Sequence, residues 1–288
     1  MFEGLNSEMF GPSGAWMFDR LNSVREGLGK GGLTVIIASA TEKGGSAKTT
    51  FSLHLAWRQA KRGKVLLVDC DAQASATRVL LRGKLPTGAH IGHVLLRHVP
   101  AKEAIVSGAG EVDILPSASG LAGAIQILGG ELGPERRLAS VLAPLIETYD
   151  HIILDCAPGR SLLFIGALLA ASKVIAPTVP DIFGVDGLKG LLELVGAVRQ
   201  DLGGTCDFAG AVVSRSTRTK LSNEVVGKLR ADLGPLFLGA VPDSVKMLEA
   251  LAASVPVWEH APDAPVALAM EAVCDAVLNS IKGVSRAA

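Results

Sequence analysis

Between Leu33 and Pro242 the chain alternates short apolar runs with longer helical ones, and this alternation constrains the fold more than any other feature. The apolar runs are LTVIIAS (33–39), KVLLVDCD (64–71), VDILPS (112–117), HIILDCAP (151–158), KVIAPTVP (173–180), FAGAVVS (208–214) and LFLGAVP (236–242). Most are nearly continuous in aliphatic residues, the pattern of strands covered on both faces. Helical stretches over 48–62, 134–147, 183–200, 221–233 and 264–282 separate or follow them. Gly63 is placed to cap the first. Strand, helix, strand in this order predicts an α/β fold: a doubly wound, mostly parallel sheet flanked by helices. Ligands of such sheets lie outside the carboxyl ends of the strands. Polar residues gather there: the 41–50 loop, Asp69, Asp71, Asp155 and the Thr178–Asp181 segment. One aspartate at such a place could be a helix N-cap. Three in register argue for a site.

Size and charge narrow the options. The 288 residues suffice for one large α/β domain, with residues 1–32 read as an extension carrying one helix and 33–288 as the domain. In the extension Phe18, Leu21, Val24 and Leu28 recur at helical spacing. The helix would cover the domain surface or form an arm that reaches a partner. Apolar residues make up 49% of the chain, yet the longest nearly pure apolar stretch, 162–171, is far too short to span a bilayer. No secretory signal is visible. The scattered Cys70, Cys156, Cys206 and Cys274 read as reduced thiols of a cytoplasmic protein. Basic and acidic residues number 28 each, so any affinity for nucleic acid must come from a local patch or an assembled oligomer.

The segment TEKGGSAKTT (41–50) carries the chemistry. Aligned on Lys48 and Thr49, it departs from the phosphate-loop pattern G-x-x-x-x-G-K-[ST], with Glu42 and Ala47 at the two glycine positions. Its context still fits: a strand enters a glycine pair, Gly44–Gly45, and Lys48-Thr49-Thr50 opens a helix. Backbone N–H groups of Gly44, Gly45, Ser46, Ala47 and the helix start would face an anion. Lys48 would reach β- and γ-phosphates, and Thr49 would hold Mg²⁺.

KGGSAKTT resembles the deviant phosphate loop of the ParA/MinD family of ATPases, in which the first glycine is normally absent. VLLVDCDAQASAT (65–77) resembles the family's switch segment, HIILDCAPG (151–159) its Walker B strand, and VIAPTVPDIFGVDGL (174–188) the stretch that follows. GAVPDSVKMLEALAASVPVWEHAPDAPVALA (239–269) resembles its C-terminal region. The likeness runs over about residues 33–282. It implies ATP and Mg²⁺ as cofactors, and ATP hydrolysis. Lys43 would be the signature lysine that crosses a dimer interface, Asp71 would position the attacking water, and Asp69 and Asp155 would hold Mg²⁺ largely through water. Pro242 and Asp243 would lie at the adenine. Gln73 and Thr77 would belong to the switch. Two departures stand out: Ala72 at the usual switch proline and Ala47 at the usual glycine. With helical backbone at residue 47, alanine is sterically allowed, so ATP binding is expected to persist, weakened at most.

The resemblance further implies a homodimer formed with ATP that docks on a surface. The C-terminal helix carries Glu271 and Asp275 and lacks bulky aromatics, so no membrane partner is expected. Arg215, Arg218 and Lys220 in SRSTRTK (214–220) form the candidate patch for nonspecific double-stranded DNA; the alternative is an ordinary solvated loop. A ParA-like partition ATPase working with a ParB-like centromere-binding partner on the nucleoid is the reading. An ATPase that positions a protein cluster or organelle, or a metabolic P-loop enzyme acting on a small substrate, are the alternatives. His90, His93 and His98 lie close together without a cysteine or carboxylate in the pattern, and read as surface histidines rather than a zinc site.

Overall fold

The computed structural model describes residues 34–282. The helix expected in 1–32 lies outside the described residues. Eight strands form one sheet: β1 (Val35–Ser39), β2 (Val65–Cys70), β3 (Val106–Ser107), β4 (Asp113–Leu115), β5 (His151–Cys156), β6 (Lys173–Thr178), β7 (Asp207–Ser216) and β8 (Phe237–Pro242). Their order is β3-β4-β2-β5-β1-β6-β7-β8. All pairs are parallel except β3–β4. The two-residue β3, at the edge, has no counterpart in the sequence reading. It lacks the length for a periodic signal.

Strand periodicity divides the core. Ile36, Ala38, Leu66, Val68, Ile152 and Leu154 enter one buried cluster, while Ile37, Val65, Leu67 and Ile153 enter the other. Successive side chains point to opposite faces of a sheet, so a continuous aliphatic run feeds both layers. The second layer holds α1 (Lys48–Ala60) and the C-terminal helix Pro265–Lys282. Trp57 of α1 is 2% exposed and donates its indole N–H to the Ala109 carbonyl at 3.0 Å. Truncating it to alanine would cost about 3–5 kcal/mol. Five shorter helices follow α1: α2 (Ser75–Leu80), α3 (Ile91–Leu95), α4 (Ala101–Ala104), α5 (Leu121–Leu128) and α6 (Arg137–Leu142). The first layer holds α7 (Leu162–Ala170), α8 (Ile182–Leu202) and α9 (Lys220–Leu233).

Two boundaries differ from expectation. α1 ends at Ala60, with Lys61 as its C-cap, rather than running to a glycine cap at Gly63. The stretch 134–147 is not one helix. It is a 3₁₀ turn (Pro134–Arg136), the helix Arg137–Leu142 and a second 3₁₀ turn (Ala143–Leu145). Pro134 begins the first 3₁₀ turn and Pro144 is the second residue of the other, and Pro144 has no N–H to continue a helix.

Candidate nucleotide site

The loop between β1 and α1 lies at the carboxyl edge of the sheet, with β5 on one side of β1 and β6 on the other. Gly45 has φ 75°, a conformation open to glycine and strained for other residues. The backbone of Ala47 is left-handed, with φ 61° and ψ 30°. The expectation of helical backbone at residue 47 is therefore wrong. The chain enters α1 through a left-handed residue, whereas Ser161, Asp181 and Thr219 lead into their helices with extended backbone. Alanine occupies the left-handed conformation at a cost of about 1–2 kcal/mol. The first turn of α1 contains no acidic residue, so its positive end is left available to an anion.

Lys48 is 7% exposed and donates to the carbonyls of Lys43 at 2.9 Å and Thr41 at 3.3 Å. Burial lowers its pKa, opposed by Asp155 and Asp71. Lys43 extends the other way, onto Asp181, at 2.9 and 3.0 Å from the two carboxylate oxygens. Asp181 also accepts from the Gly184 amide and caps α8. The N-cap alternative thus holds for Asp181, which serves a lysine as well. Gly184 permits this tight entry: a Cβ there would lie 2.1 Å from the Val179 carbonyl oxygen.

Asp69 and Asp155 face each other across β2 and β5, in register and almost fully buried. Burial raises both pKa values, and for Asp155 the neighbouring Asp69 adds to the rise. Asp155 accepts from Ser52 at 2.8 Å and is hydrogen-bonded by Thr49. Asp69 accepts from the amides of Asp71 and Thr77 and from the Thr77 hydroxyl. Thr77 is thereby a structural anchor of the segment 69–77. Its Oγ1 also accepts from the Ser117 amide. Asp71 is partly exposed and accepts from the Gln73 amide at 2.9 Å, closing an Asx turn. The oxygen donors of Thr49 and Asp155, with Asp69 beside them, suit a hard cation such as Mg²⁺. Their buried carboxylates are the kind of charge a divalent cation would compensate.

The remaining candidates fall at the ends of β7 and β8. Arg215 pairs with Asp243 at 3.3 Å, and the Asp243 amide donates to the Ser216 carbonyl. A residue proposed for DNA and one proposed for adenine are thus direct partners. Pro242 ends β8 beside them. Lys220 lies 3.8 Å from Glu224, and Arg218 and Lys220 are both exposed. His90 caps the short helix Ile91–Leu95 by accepting from the Gly92 amide, and its ring lies against His93, tilted by 59°. No cluster of three or more His, Cys, Asp or Glu that could hold a metal occurs among the described residues.

Sequence reasoning missed Arg160 and His54. Arg160 donates to Glu42 at 2.8 Å. His54, wholly buried on α1, interacts through Nδ1 with the Thr50 carbonyl and accepts the Val257 amide on Nε2. Neither matched a motif. Only the acidic residue at the loop's first glycine position hinted that a cation should stand opposite.

A parallel sheet with a phosphate loop, an invading lysine and strand-end carboxylates defines a P-loop nucleotide-binding protein of the kind with a second lysine in the loop. A family model described as an AAA domain matches residues 34–206. The chromosome-partitioning ATPase Soj of Thermus thermophilus is 32% identical over 250 residues, covering 85% of this chain and 96% of Soj. Among solved structures, the ATP complex of a McdA variant from Cyanothece superposes with a TM-score of 0.79 at 23% identity, covering 88% of this chain and 98% of McdA. Cobyrinic acid a,c-diamide synthase from Mycobacterium smegmatis, with an ATP analogue and magnesium bound, gives 0.70 at 28% identity, covering 87% and 97%. The chain belongs to the ParA/MinD family of P-loop ATPases.

Proposed function

We propose that this chain binds and hydrolyses ATP with Mg²⁺, dimerises in the ATP state, and in that state binds DNA nonspecifically to move a cargo chosen by a ParB-like partner. The observation that carries the reading is the division of labour between two lysines of one loop. Lys48 is turned into the loop's own carbonyls, where a phosphate chain would lie. Lys43 points outward to Asp181, where a second copy can compete for it.

The loop amides and Lys48 bind the phosphates. Thr49 and Asp155 hold Mg²⁺, with Asp69 supporting the switch turn and the cation's water shell. Mg²⁺ supplies charge neutralisation at the phosphates. Asp71 orients the attacking water. Pro242 and Asp243 border the adenine. Arg218 and Lys220, both exposed, are the members of the basic segment most available to phosphate, because the contact of Lys220 with Glu224 is long and solvated. A cytoplasmic, nucleoid-associated location follows from this reading. Within the described residues, no helix is long and apolar enough to cross a membrane.

The test is size-exclusion chromatography with light scattering on the Asp71→Ala protein, with ADP or ATP–Mg²⁺, each with and without random-sequence duplex DNA. Monomer in ADP, dimer in ATP and co-elution with DNA only in ATP is the expected result. A protein indifferent to ATP overturns the cycle. A dimer that ignores DNA favours a different surface. The likeness to cobyrinic acid a,c-diamide synthase supports a second reading, a metabolic enzyme using ATP on a small substrate. That reading predicts turnover that requires the substrate and no effect of DNA.

A further inference from the structure

Glu42 places a carboxylate at the entrance of a loop built to receive anions. Three contacts fix it. Its carbonyl accepts from the Gly159 amide at 3.0 Å, its carboxylate accepts from Arg160 Nε at 2.8 Å, and it lies against Gly190 of α8. A Cβ at residue 190 would come within 3.0 Å of the carboxylate. The side chains of Glu42 and Arg160 are 24% and 52% exposed. Arg160 belongs to the loop that leaves β5 just after Asp155 and Cys156. The pair therefore ties the start of the phosphate loop to the segment following the strand-end carboxylate.

We propose that Arg160 is a positioning residue for phosphate binding: it neutralises Glu42 and holds the loop entrance against the segment after β5. The proposal rests on the nucleotide reading of this site. Two physical arguments support it. An uncompensated carboxylate at the loop mouth would repel a polyphosphate, and more strongly as the number of phosphates rises. The backbone bond from Gly159 to Glu42 persists without the side chains, so the ion pair adds charge balance and direction to an anchor already present. Exposed ion pairs are worth little on their own, at most about 1 kcal/mol, equivalent to roughly a fivefold change in affinity.

The experiment is calorimetric titration of ATP–Mg²⁺ and ADP–Mg²⁺ into the native chain, Arg160→Gln, Glu42→Gln and the double variant, at about 50 and 300 mM salt, with thermal unfolding of each nucleotide-free protein. Failure of the native chain to bind either nucleotide overturns the nucleotide reading itself. Given native binding, Arg160→Gln is expected to weaken ATP by about three- to fivefold, to weaken ADP less, and to lose most of the difference at high salt. Adding Glu42→Gln should restore ATP affinity to within about twofold of native, because the uncompensated charge is gone. Equal affinity of Arg160→Gln and the native chain overturns the proposal. So does a loss that the double variant does not rescue, which would mean that Arg160 acts on the nucleotide directly or only through folding.

Discussion

Lys43 and Asp181 are 138 positions apart, yet both carboxylate oxygens lie within 3.0 Å of the ammonium, which also sits 4.9 Å from the centre of the Phe183 ring. The aspartate thus caps α8 and binds the outward lysine at once. Asparagine retains the capping oxygen but not the charge. Asp181→Asn should therefore leave the melting temperature nearly unchanged and release Lys43, raising the dimer fraction at subsaturating ATP. Asp181→Ala should lose about 1 kcal/mol of stability with the cap. Lys43→Ala should still bind nucleotide and stay monomeric. Light scattering across an ATP titration reads all three. A lower dimer fraction in Asp181→Asn would mean that the carboxylate is needed in the assembled state.

Ala47 supplies a second prediction. Its left-handed backbone costs about 1–2 kcal/mol, of which glycine's greater freedom in the unfolded chain returns roughly half. Ala47→Gly should raise unfolding stability by about 0.5–1 kcal/mol, measured by urea titration at an unchanged slope. ATP affinity should hold or improve, since the loop no longer carries that strain. A destabilised Ala47→Gly protein would show that the methyl group packs usefully.

The parallel architecture was legible because the central strands are aliphatic runs long enough to fill both layers, and the strand-end Asp69 and Asp155 stood where the sheet brings them together. The loop itself was legible from Lys48 and Thr49. What stayed hidden depends on three-dimensional neighbours. Glycine tolerance at residue 47 is a matter of φ, which an alanine in the sequence conceals. The roles of Asp181 and Arg160 are set by side chains more than 100 positions away. The basic segment showed its charges but not the carboxylates beside Arg215 and Lys220.

Asp71 offers a test of chemistry separate from binding. Its carboxylate accepts the Gln73 amide, and its own amide donates to Asp69. Asp71→Asn keeps a side-chain oxygen for the turn and removes the charge that would orient water. It should bind ATP with near-native affinity and lose at least about a hundredfold in kcat, as measured by phosphate release. Turnover within a few fold of native would remove Asp71 from the catalytic assignment.

His54 links α1 to the start of the short helix Val257–His260, ahead of the C-terminal helix, and it does so in the neutral form. Nδ1–H donates to the Thr50 carbonyl, which leaves Nε2 free to accept the Val257 amide. Protonation would place a second N–H against that amide. Complete burial lowers the pKa from 6.5 to about 4, with the bond to Thr50 opposing the shift. Above pH 6.5 neither folded nor unfolded chain protonates this ring, and its contribution to stability is full. As pH falls from about 6.5 toward 4, the unfolded chain takes up the proton and the folded chain does not, so stability declines, by up to about 3 kcal/mol. Below pH 4 both forms are protonated and the slope from this residue vanishes. His54→Gln can preserve one of the two bonds and cannot titrate. It should be less stable than the native chain at pH 7.5 by about 1–3 kcal/mol, yet lose less on acidification. Urea midpoints at pH 7.5, 6.0 and 5.0 for both proteins give the comparison: parallel declines would assign the acid sensitivity to groups other than His54.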